Sequence, residues 1–303
     1  LFVKKILCLY KYNSMNKFLI FILSSLPLFT LGQLKNDDPI VQQTELRNLR
    51  FGLYAQGSLG WLTPEQQKKY SQGSLGFGHG WGFDMEINFN NNTTLRTGIN
   101  LSTFKAGLNY YNSDLTLSNE TYYVLDASEN YVTWNGNTPP EGDLYQLYNR
   151  RYKVNYVNIP IILKLKTNEI GYFTYYGEFG ATLGFKTKAL VDDEIKPLNY
   201  NPSDSTFSNS LNLNQKLYIL EINADKSTQP IRFGLNLGAG SEYNLSGNTS
   251  LFFQLNWNYF INNLLTRPEN ESFLREEISK GVFNAVNAKA FPGNIVLSFG
   301  ILF

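Results

Sequence analysis

The sequence contains very little of the two residue types that most often bind metals. Cys8 is the single cysteine and His79 is the single histidine among 303 residues. These counts exclude a disulfide framework, a cysteine-based metal site and a histidine-rich metal site. Charged residues make up only 17%, below the roughly 25% of soluble globular chains. The net charge of +1 comes without a basic patch between aromatic residues, so we expect no nucleic-acid partner, and no motif predicts a cofactor.

Aromatic residues and glycine are, by contrast, abundant. The chain has 20 tyrosines, 22 phenylalanines and 24 glycines, and its mean hydropathy is −0.26. Many aromatic residues at such a modest mean hydropathy indicate that apolar side chains alternate with polar ones. The length allows one large domain or two small ones.

Residues 15–32 have the organisation of an export signal. Lys17 gives a positive start, residues 18–29 form an apolar run, and residues 30–32 include the small residue expected at a cleavage position before Gln33. The run is shorter than the roughly 20 residues that a transmembrane helix needs, so the alternative of a membrane anchor is disfavoured. We predict a cleaved signal peptide and export across the inner membrane.

Two short segments flank this signal. Residues 1–14 do not begin with methionine, and we interpret them as an upstream extension. They contain Cys8, which we therefore expect to be absent from the mature protein. Residues 33–49 are polar, and we predict that they form a periplasmic segment before the first strand.

From residue 50 onward the sequence shows eight runs in which apolar and polar residues alternate. A period of two sends successive side chains to opposite faces of a β-strand. Each run has about 10 residues or more, which is enough for a tilted strand to cross a membrane. The predicted strands are residues 50–62, 74–89, 93–108, 152–167, 171–186, 231–245, 249–260 and 293–303.

The connections between these runs are alternately short and long. The short ones, which contain turn-forming residues, are residues 90–92, 168–170 and 246–248. The long ones, rich in Asn, Ser, Asp and Pro, are residues 63–73, 109–151, 187–230 and 261–292. Short turns on one side and long loops on the other are typical of outer-membrane barrels. The sequence therefore predicts an all-β fold: an eight-stranded antiparallel transmembrane β-barrel with short periplasmic turns and long extracellular loops, over residues 50–303.

The two faces of the strands predict how the barrel is oriented. One face carries Leu, Ile, Phe, Tyr and Trp, whereas the other carries Gly, Asn, Ser, Thr and a few charges. Because the interior of an eight-stranded barrel is narrow, we expect small and polar side chains inside and bulky apolar ones against outer-membrane lipid. Residues expected in the interfacial belts are Trp61, Tyr172, Tyr175, Trp257 and Tyr259. Phe303, on the apolar face, is expected to be recognised by the barrel-assembly machinery.

Eight charged residues fall on the predicted inward face. They are Asp84, Glu86, Arg96, Lys164, Lys166, Glu178, Lys186 and Glu242. Charges in such a place are tolerated only when they are paired. We therefore predict a salt-bridge network that plugs the lumen. The alternative is a narrow ion path, for which eight strands leave little room.

Two further patterns suggest chemistry, but neither is complete. Residues 73–82 look like a phosphate loop, yet no Lys-Ser/Thr pair and no helical pattern follow, so we interpret the glycines as one packed face of a strand. His79 could act as a base for Ser74 in a membrane-embedded lipid hydrolase. No Gly-x-Ser-x-Gly elbow accompanies them. We predict that the protein is not an enzyme and has no catalytic residues.

The long connections contain residues suited to contacts. Tyrosine pairs at residues 110–111 and 122–123 are typical of surfaces that bind a partner protein. The acidic residues 192–194 could hold a cation, although such a trio is more typical of a solvated loop.

Residues 151–173 resemble the central hairpin of the PorT-like outer-membrane β-barrel family of Bacteroidetes. In that family an Ile-Pro strand, here Ile159-Pro160, leads into a Lys-Leu-Lys segment, here residues 164–166, and then into a tight turn and a Tyr/Gly-rich strand, here residues 176–180. Outside this stretch only the rhythm of strands and loops is shared. The resemblance implies an integral outer-membrane barrel without enzymatic activity and, for the founding member, a part in type IX protein secretion.

Three functions remain open from the sequence. The first is a non-catalytic barrel whose extracellular loops or residues 33–49 contact secretion-system or envelope proteins. The second is a narrow porin for small solutes. The third is an outer-membrane lipid hydrolase that uses His79.

Overall fold

The computed structural model describes residues 48–136, 140–209, 217–247, 249–266 and 273–303. The predicted upstream extension, the signal peptide and residues 33–47 of the periplasmic segment lie outside these ranges. Among the described residues, no helix is long and apolar enough to cross a bilayer.

The described residues form one antiparallel sheet of β-strands. In chain order the strands are β1 (Leu49–Pro64), β2 (Ser71–Asn88), β3 (Thr93–Asn109), β4 (Thr121–Leu125), β5 (Tyr131–Val132), β6 (Asp143–Lys166), β7 (Phe173–Asn201), β8 (Thr206–Asn209), β9 (Leu217–Asn223), β10 (Ile231–Ser246), β11 (Thr249–Phe260), β12 (Arg275–Ser279), β13 (Val282–Ala285) and β14 (Ala290–Leu302).

Eight of these strands close into a barrel. They pair in the order β1-β2-β3-β6-β7-β10-β11-β14, and β14 pairs with β1 from Gly52 opposite Leu302 to Pro64 opposite Ala290. This ring confirms the predicted eight-stranded antiparallel barrel. At the short-turn end, every strand begins or ends within two residues of its predicted limit.

The long connections differ from the prediction because two of the barrel strands extend into them. β6 begins at Asp143 and β7 runs to Asn201, and the two pair up to Leu144 opposite Leu198. The shorter strands β4, β5, β8, β9, β12 and β13 join them at the long-loop end. The polar composition of these segments predicted loops, because the strands there carry hydrophilic residues on their outer face.

The outside of the barrel carries a belt of large apolar side chains, as predicted. Trp81, Ile161 and Leu237 each remain about 60% exposed. Inward positions on the same strands, such as Asp84 on β2 and Lys164 on β6, are buried. A wide apolar surface of this kind needs hydrocarbon around it. We call this surface the lipid belt; on β6 it ends near Val157 and on β7 near Phe185.

Beyond the lipid belt, toward the long-loop end, the two faces of the strands exchange character. On β6, Tyr152 and Val154 point inward and are fully buried, while Arg151 and Lys153 face outward. Lys153 Nζ lies 3.3 Å from Glu221 Oε1 in an exposed ion pair. This part of the sheet is therefore arranged as a water-soluble protein would be, with its apolar side chains inside.

The buried apolar residues at the long-loop end form a core that we call the apolar cap. It is drawn from the barrel strands and from the long connections. Its members are Leu62, Tyr70, Phe104, Ala106, Leu108, Tyr110, Tyr123, Leu125, Leu147, Tyr152, Val154, Tyr156, Ala189, Val191, Ile195, Ile222, Ala224, Leu264, Leu265, Ala288 and Ala290. A second cluster around Trp134 and Leu198 lies among the short strands. Neither core follows from the sequence analysis, which placed the strand ends among these residues in the barrel and treated the remaining segments as polar loops.

The glycine-rich part of β2 is a packed strand face, as predicted. A Cβ atom at Gly76 would lie 2.2 Å from the carbonyl of Lys105, and one at Gly78 would lie 2.1 Å from the carbonyl of Thr103. Glycine at these alternate positions therefore allows β3 to approach β2 closely.

Candidate functional site: the barrel interior

The interior at the level of the lipid belt is filled first by ion pairs around Arg96. Its guanidinium donates to Asp84 Oδ2 at 3.0 Å and to Glu178 Oε1 at 2.8 Å. A third donation reaches the neutral Gln254 Oε1 at 3.3 Å. Because these partners come from β2, β7 and β11, one arginine on β3 ties together strands on opposite sides of the barrel.

A second group of ion pairs lies closer to the short turns, around two lysines of β6. Lys164 Nζ contacts Glu86 Oε1 at 2.7 Å and also contacts Glu242. Lys166 Nζ lies 3.3 Å from Glu86 and 3.4 Å from Glu242. From β1, Arg50 Nη1 lies 2.7 Å from Glu242 Oε2. The network therefore links β1 to β10, which lie on the two sides of the seam where β14 pairs with β1.

These groups balance one another in charge. We call the two groups together the charge cluster; its acids are Asp84, Glu86, Glu178 and Glu242, and its cations are Arg50, Arg96, Lys164 and Lys166. Four acids meet four cations, and all but Arg50 are nearly inaccessible to solvent. Each buried charge of the cluster thus has at least one ion-pair partner inside the narrow barrel, as a structural plug requires.

The structure brings together seven of the eight charges that the sequence analysis placed in the lumen. Lys186 is the exception: its Nζ donates to the Thr228 carbonyl at 2.7 Å and to Thr228 Oγ1 at 3.1 Å. It lies eight positions beyond Glu178 on β7, which is roughly 26 Å along a strand. The placement of Lys186 in the network was therefore wrong, because alternation predicts the face of a residue but not its height.

Two members of this region were missed by the sequence analysis. Arg50 has the same parity as the inward residues Gly52 and Tyr54, so alternation carried a signal for it. Gln254 stands on the polar face of β11 and is buried. As a neutral residue, it gave no charge signal by which it could have been found.

Between the charge cluster and the apolar cap lies a chamber of about 60 Å³. We call it the amide chamber, since its polar lining is dominated by asparagine: Asn100, Asn158, Asn236, Asn256, Asn258 and Asn294. Several of these amides bond to one another; Asn158 Nδ2 donates to Asn100 Oδ1 at 3.0 Å, and Asn258 Nδ2 donates to Asn294 Oδ1 at 2.8 Å. Such a volume accommodates a few water-sized particles, at roughly 10–15 Å³ each.

The apolar cap encloses one buried ion pair of its own. Arg150 of β6 donates to both carboxylate oxygens of Asp193 on β7, at 2.7 and 2.6 Å, and to the Tyr131 hydroxyl at 2.7 Å. Burial alone would lower the pKa of Arg150, but the Asp193 carboxylate raises it well above its ordinary value. The pair joins the two extended strands at directly opposite positions.

The acidic residues 192–194 are consequently neither a solvated loop nor a shared cation site. They lie within β7, and Asp193 points inward to Arg150 while Asp192 accepts from the Glu221 backbone N–H at 3.0 Å on the other face. Among the described residues, no group of three or more His, Cys, Asp or Glu side chains is arranged to hold a metal ion.

His79 and Ser74 are not brought together. His79 lies on the outward face of β2, opposite Gly57 of β1 and between the exposed Phe77 and Trp81. Ser74 has the opposite parity on the same strand. Five positions separate the two residues, roughly 16 Å along a strand, so neither distance nor direction suits a base and its nucleophile.

Phe303 lies at the short-turn end of the seam between β1 and β14. Its backbone N–H donates to the Phe51 carbonyl at 2.8 Å, and the Phe51 N–H donates to the Phe303 carbonyl at 2.9 Å. The side chain is 45% exposed, in line with the lipid belt. Recognition of this residue by the assembly machinery stays a prediction.

Comparison with known proteins gives one family match and a set of similar solved structures. Residues 33–266 match the family described as outer membrane protein beta-barrel domain. No curated protein sequence matches the chain. Similar solved structures include Neisserial surface protein A, with 12% identity, a TM-score of 0.35 and coverage of 83% of this chain and 95% of that one. Others are OprG from Pseudomonas aeruginosa (9% identity, TM-score 0.37, 84% and 96% coverage) and Ail of Yersinia pestis (12%, 0.29, 85% and 100%).

Proposed function

The chain belongs to the outer membrane protein β-barrel domain family, and on that basis we propose that it is a non-catalytic, non-conducting barrel that displays a rigid extracellular sheet to other envelope proteins. The observation that supports this most is the continuation of β6 and β7 past the lipid belt as a paired sheet with its own apolar core. We further propose that residues 15–32 are removed on export, so that the mature protein starts at Gln33. Mass spectrometry of the purified protein tests that start.

The contents of the barrel support the non-conducting part of the proposal. A solute moving along the barrel would meet the charge cluster, then the amide chamber, and then the apolar cap. The first obstacle consists of ion pairs at 2.7–3.4 Å, and the last consists of side chains that are almost fully buried against one another. Two different kinds of packing would have to open together for a continuous water path to form.

The extended strands support the display of a rigid surface. Residues 143–156 of β6 lie beyond the lipid belt, and fourteen residues span roughly 46 Å along a strand. The Arg150–Asp193 pair and the apolar cap hold this segment to β7. A surface held in this way loses little conformational entropy when a partner binds.

Strand β9 offers the clearest contact surface on this sheet. Within the described residues β9 pairs only with β7, so its other edge is open. Tyr218 and Leu220 on this strand are 69% and 63% exposed and lie well above the lipid belt. An open edge with exposed apolar side chains can add a strand from a partner protein.

The resemblance of residues 151–173 to the PorT-like hairpin suggests which partners to test first. Components of the type IX secretion system are the first candidates, and other envelope proteins are the second. The barrel-assembly machinery and outer-membrane lipid would be encountered by any barrel of this family.

The proposal is tested by site-specific photo-crosslinking in the outer membrane. A photoreactive amino acid at Tyr218 should yield a discrete adduct with an envelope protein, which mass spectrometry would identify. The same amino acid at Leu237, in the lipid belt, is the matched control and should yield no such adduct. Adducts of the same pattern from both positions, or none from Tyr218 or Leu220, would contradict a contact surface on β9.

A narrow porin is the second candidate, and the amide chamber is the observation that favours it. Amide side chains can line a path for small polar solutes, and the chamber lies at the centre of the barrel. Planar-bilayer recordings of the purified protein separate the two candidates. The scaffold proposal expects no steady conductance, whereas a porin would show steps that scale with salt concentration.

A further inference from the structure

We propose that the amide chamber binds a single halide-sized anion, chloride under physiological conditions, on the guanidinium of Arg232. This inference is independent of whether the barrel conducts or binds partners. It rests on an imbalance of charge inside the barrel, on the geometry around one arginine, and on the size of the space beside it.

The imbalance concerns Arg232 of β10. Its side chain is 5% exposed, yet none of the described carboxylates lies within 4 Å of it, whereas Arg96, Lys164 and Arg150 each have one at 3.0 Å or closer. An arginine stays protonated in proteins, so Arg232 adds a positive charge to an interior whose other ion pairs are balanced. A buried charge without a counterion is costly.

The geometry around Arg232 holds the guanidinium firmly. Its carbon Cζ lies 3.7 Å from the centre of the Tyr156 ring and 4.3 Å from that of Phe260. Gly184, its partner on β7, leaves the space for this side chain, because a Cβ there would lie 2.7 Å from Arg232 Cγ. The aromatic faces support the cation but do not neutralise it.

One nitrogen of this guanidinium is left for a ligand. Nη2 donates to Asn158 Oδ1 at 2.9 Å and Nε donates to the same oxygen at 3.3 Å. Nη1 is buried and has no hydrogen-bond partner among the described residues. Because Asn158 already occupies the Nε–Nη2 edge, the remaining donor suits an anion that accepts at a single point rather than a bidentate carboxylate or phosphate.

The chamber next to Arg232 has the size for such an ion. Its volume is about 60 Å³, enough for one water-sized anion with a few waters at roughly 10–15 Å³ each. The amide side chains in its wall can donate hydrogen bonds to an anion or to those waters. A large organic anion would not fit.

The test uses the whole protein refolded in lipid vesicles, with chloride exchanged for gluconate at constant ionic strength. A ligand that binds only the folded state raises the folded-to-unfolded ratio about tenfold for each tenfold rise in its concentration above the Kd. We expect this slope for the wild type. The variant Arg232→Met keeps an apolar side chain between the two rings and should lose the slope. Arg151→Met, which removes an exposed arginine on the outer face of β6, is the matched control and should keep it.

A second measurement does not depend on the variant folding. Crystals of the wild type grown in bromide should show an anomalous peak within hydrogen-bond distance of Arg232 Nη1. Equal chloride slopes for the wild type and Arg232→Met would overturn the proposal. So would the absence of bromide at Nη1 in crystals held at molar bromide.

Discussion

The two halves of the barrel interior are built on opposite principles, although the same strands line both. On β6, Lys164 and Lys166 face inward at the level of the lipid belt, whereas Tyr152 and Val154 face inward above it. Within the membrane, the surroundings are as apolar as any core, so apolar packing inside gains little and polar contacts hold the strands together. Above the membrane, water surrounds the sheet, and burial of apolar surface becomes the driving force again.

The medium outside the sheet therefore determines the chemistry of the barrel interior. The exterior changes from Ile161 to Lys153 along the same strand, and the interior changes in the opposite direction. The amide chamber lies between the charge cluster and the apolar cap. Arg232 stands there between aromatic rings and amide side chains.

The largest expected effect comes from removing the cation at the centre of the charge cluster. Arg96→Met leaves Asp84 and Glu178 buried without their common partner, which we expect to lower the free energy of unfolding by about 3–5 kcal/mol. Urea unfolding in lipid vesicles, followed by tryptophan fluorescence, measures this change. The control Lys105→Met removes a cation from the outer face and should change stability by less than about 0.5 kcal/mol.

Neutralising the orphaned acids tests whether charge is the cause. The triple variant Arg96→Met, Asp84→Asn, Glu178→Gln should recover most of the lost stability, because no unpaired charge remains. A triple variant as unstable as Arg96→Met alone would mean that shape, rather than charge pairing, dominates this half of the interior.

The next effect tests the apolar half of the interior. Leu147 is fully buried in the apolar cap, and Leu147→Ala should destabilise the cap by about 2–5 kcal/mol through lost burial and a residual cavity. The damage should be local: limited proteolysis should cut the extracellular segments faster, while the heat-modifiable gel migration of the barrel persists. Leu220→Ala, at a position 63% exposed on β9, should leave proteolysis unchanged. Joint unfolding of cap and barrel would show that the two halves are one cooperative unit.

The exterior offers the third test of the same comparison. Leu237 lies at the middle of the lipid belt on β10, and Leu237→Lys should cost about 2–4 kcal/mol at that depth. The opposite change above the belt, Lys153→Leu, should stay within about 0.5 kcal/mol because the side chain faces water. Equal costs for the two substitutions, measured by urea unfolding in vesicles, would mean that the boundary of the belt is misplaced.

Alternation in the sequence predicted the membrane half well, because a period of two directly encodes a sheet with two different faces. Asp84, Lys164 and Leu237 all lie on the faces that their parity predicted. Their heights were not predicted, since height depends on strand register across the whole ring. For this reason Lys186 could not be separated from Lys166.

The apolar cap was missed for a different physical reason. Some of its members come from short strands whose pairing is non-local; for example, Tyr123 of β4 stands opposite Tyr145 of β6. Strands as short as β5 give no periodic signal. Their polar outer residues lowered the local hydropathy, so Tyr123 and Leu125 were interpreted as part of a loop, although both are buried.

The smallest expected effect concerns the tyrosine hydroxyls inside the cap. Tyr110 and Tyr152 share a hydrogen bond of 2.6 Å between their hydroxyl oxygens, and Tyr110→Phe should cost about 1 kcal/mol at neutral pH. Urea unfolding at pH 7 measures it. Tyr218→Phe, at an exposed position on β9, is the control and should change nothing measurable. No loss from Tyr110→Phe would mean that this hydroxyl pair does not contribute to the stability of the cap.

The same hydroxyls give this half of the interior its own pH dependence. Burial raises the pKa of Tyr110, and burial also raises the pKa of Tyr152. The folded cap therefore keeps its protons while the unfolded chain loses them near pH 10. Stability is fully present below about pH 10 and falls as the pH rises further, by about 1.4 kcal/mol per pH unit for each tyrosine that stays neutral in the fold. Tyr110→Phe removes one such group, so the free energy of unfolding should decline less steeply between pH 9 and 11 than in the wild type. An unchanged slope would show that the Tyr110 hydroxyl is not a source of this pH dependence.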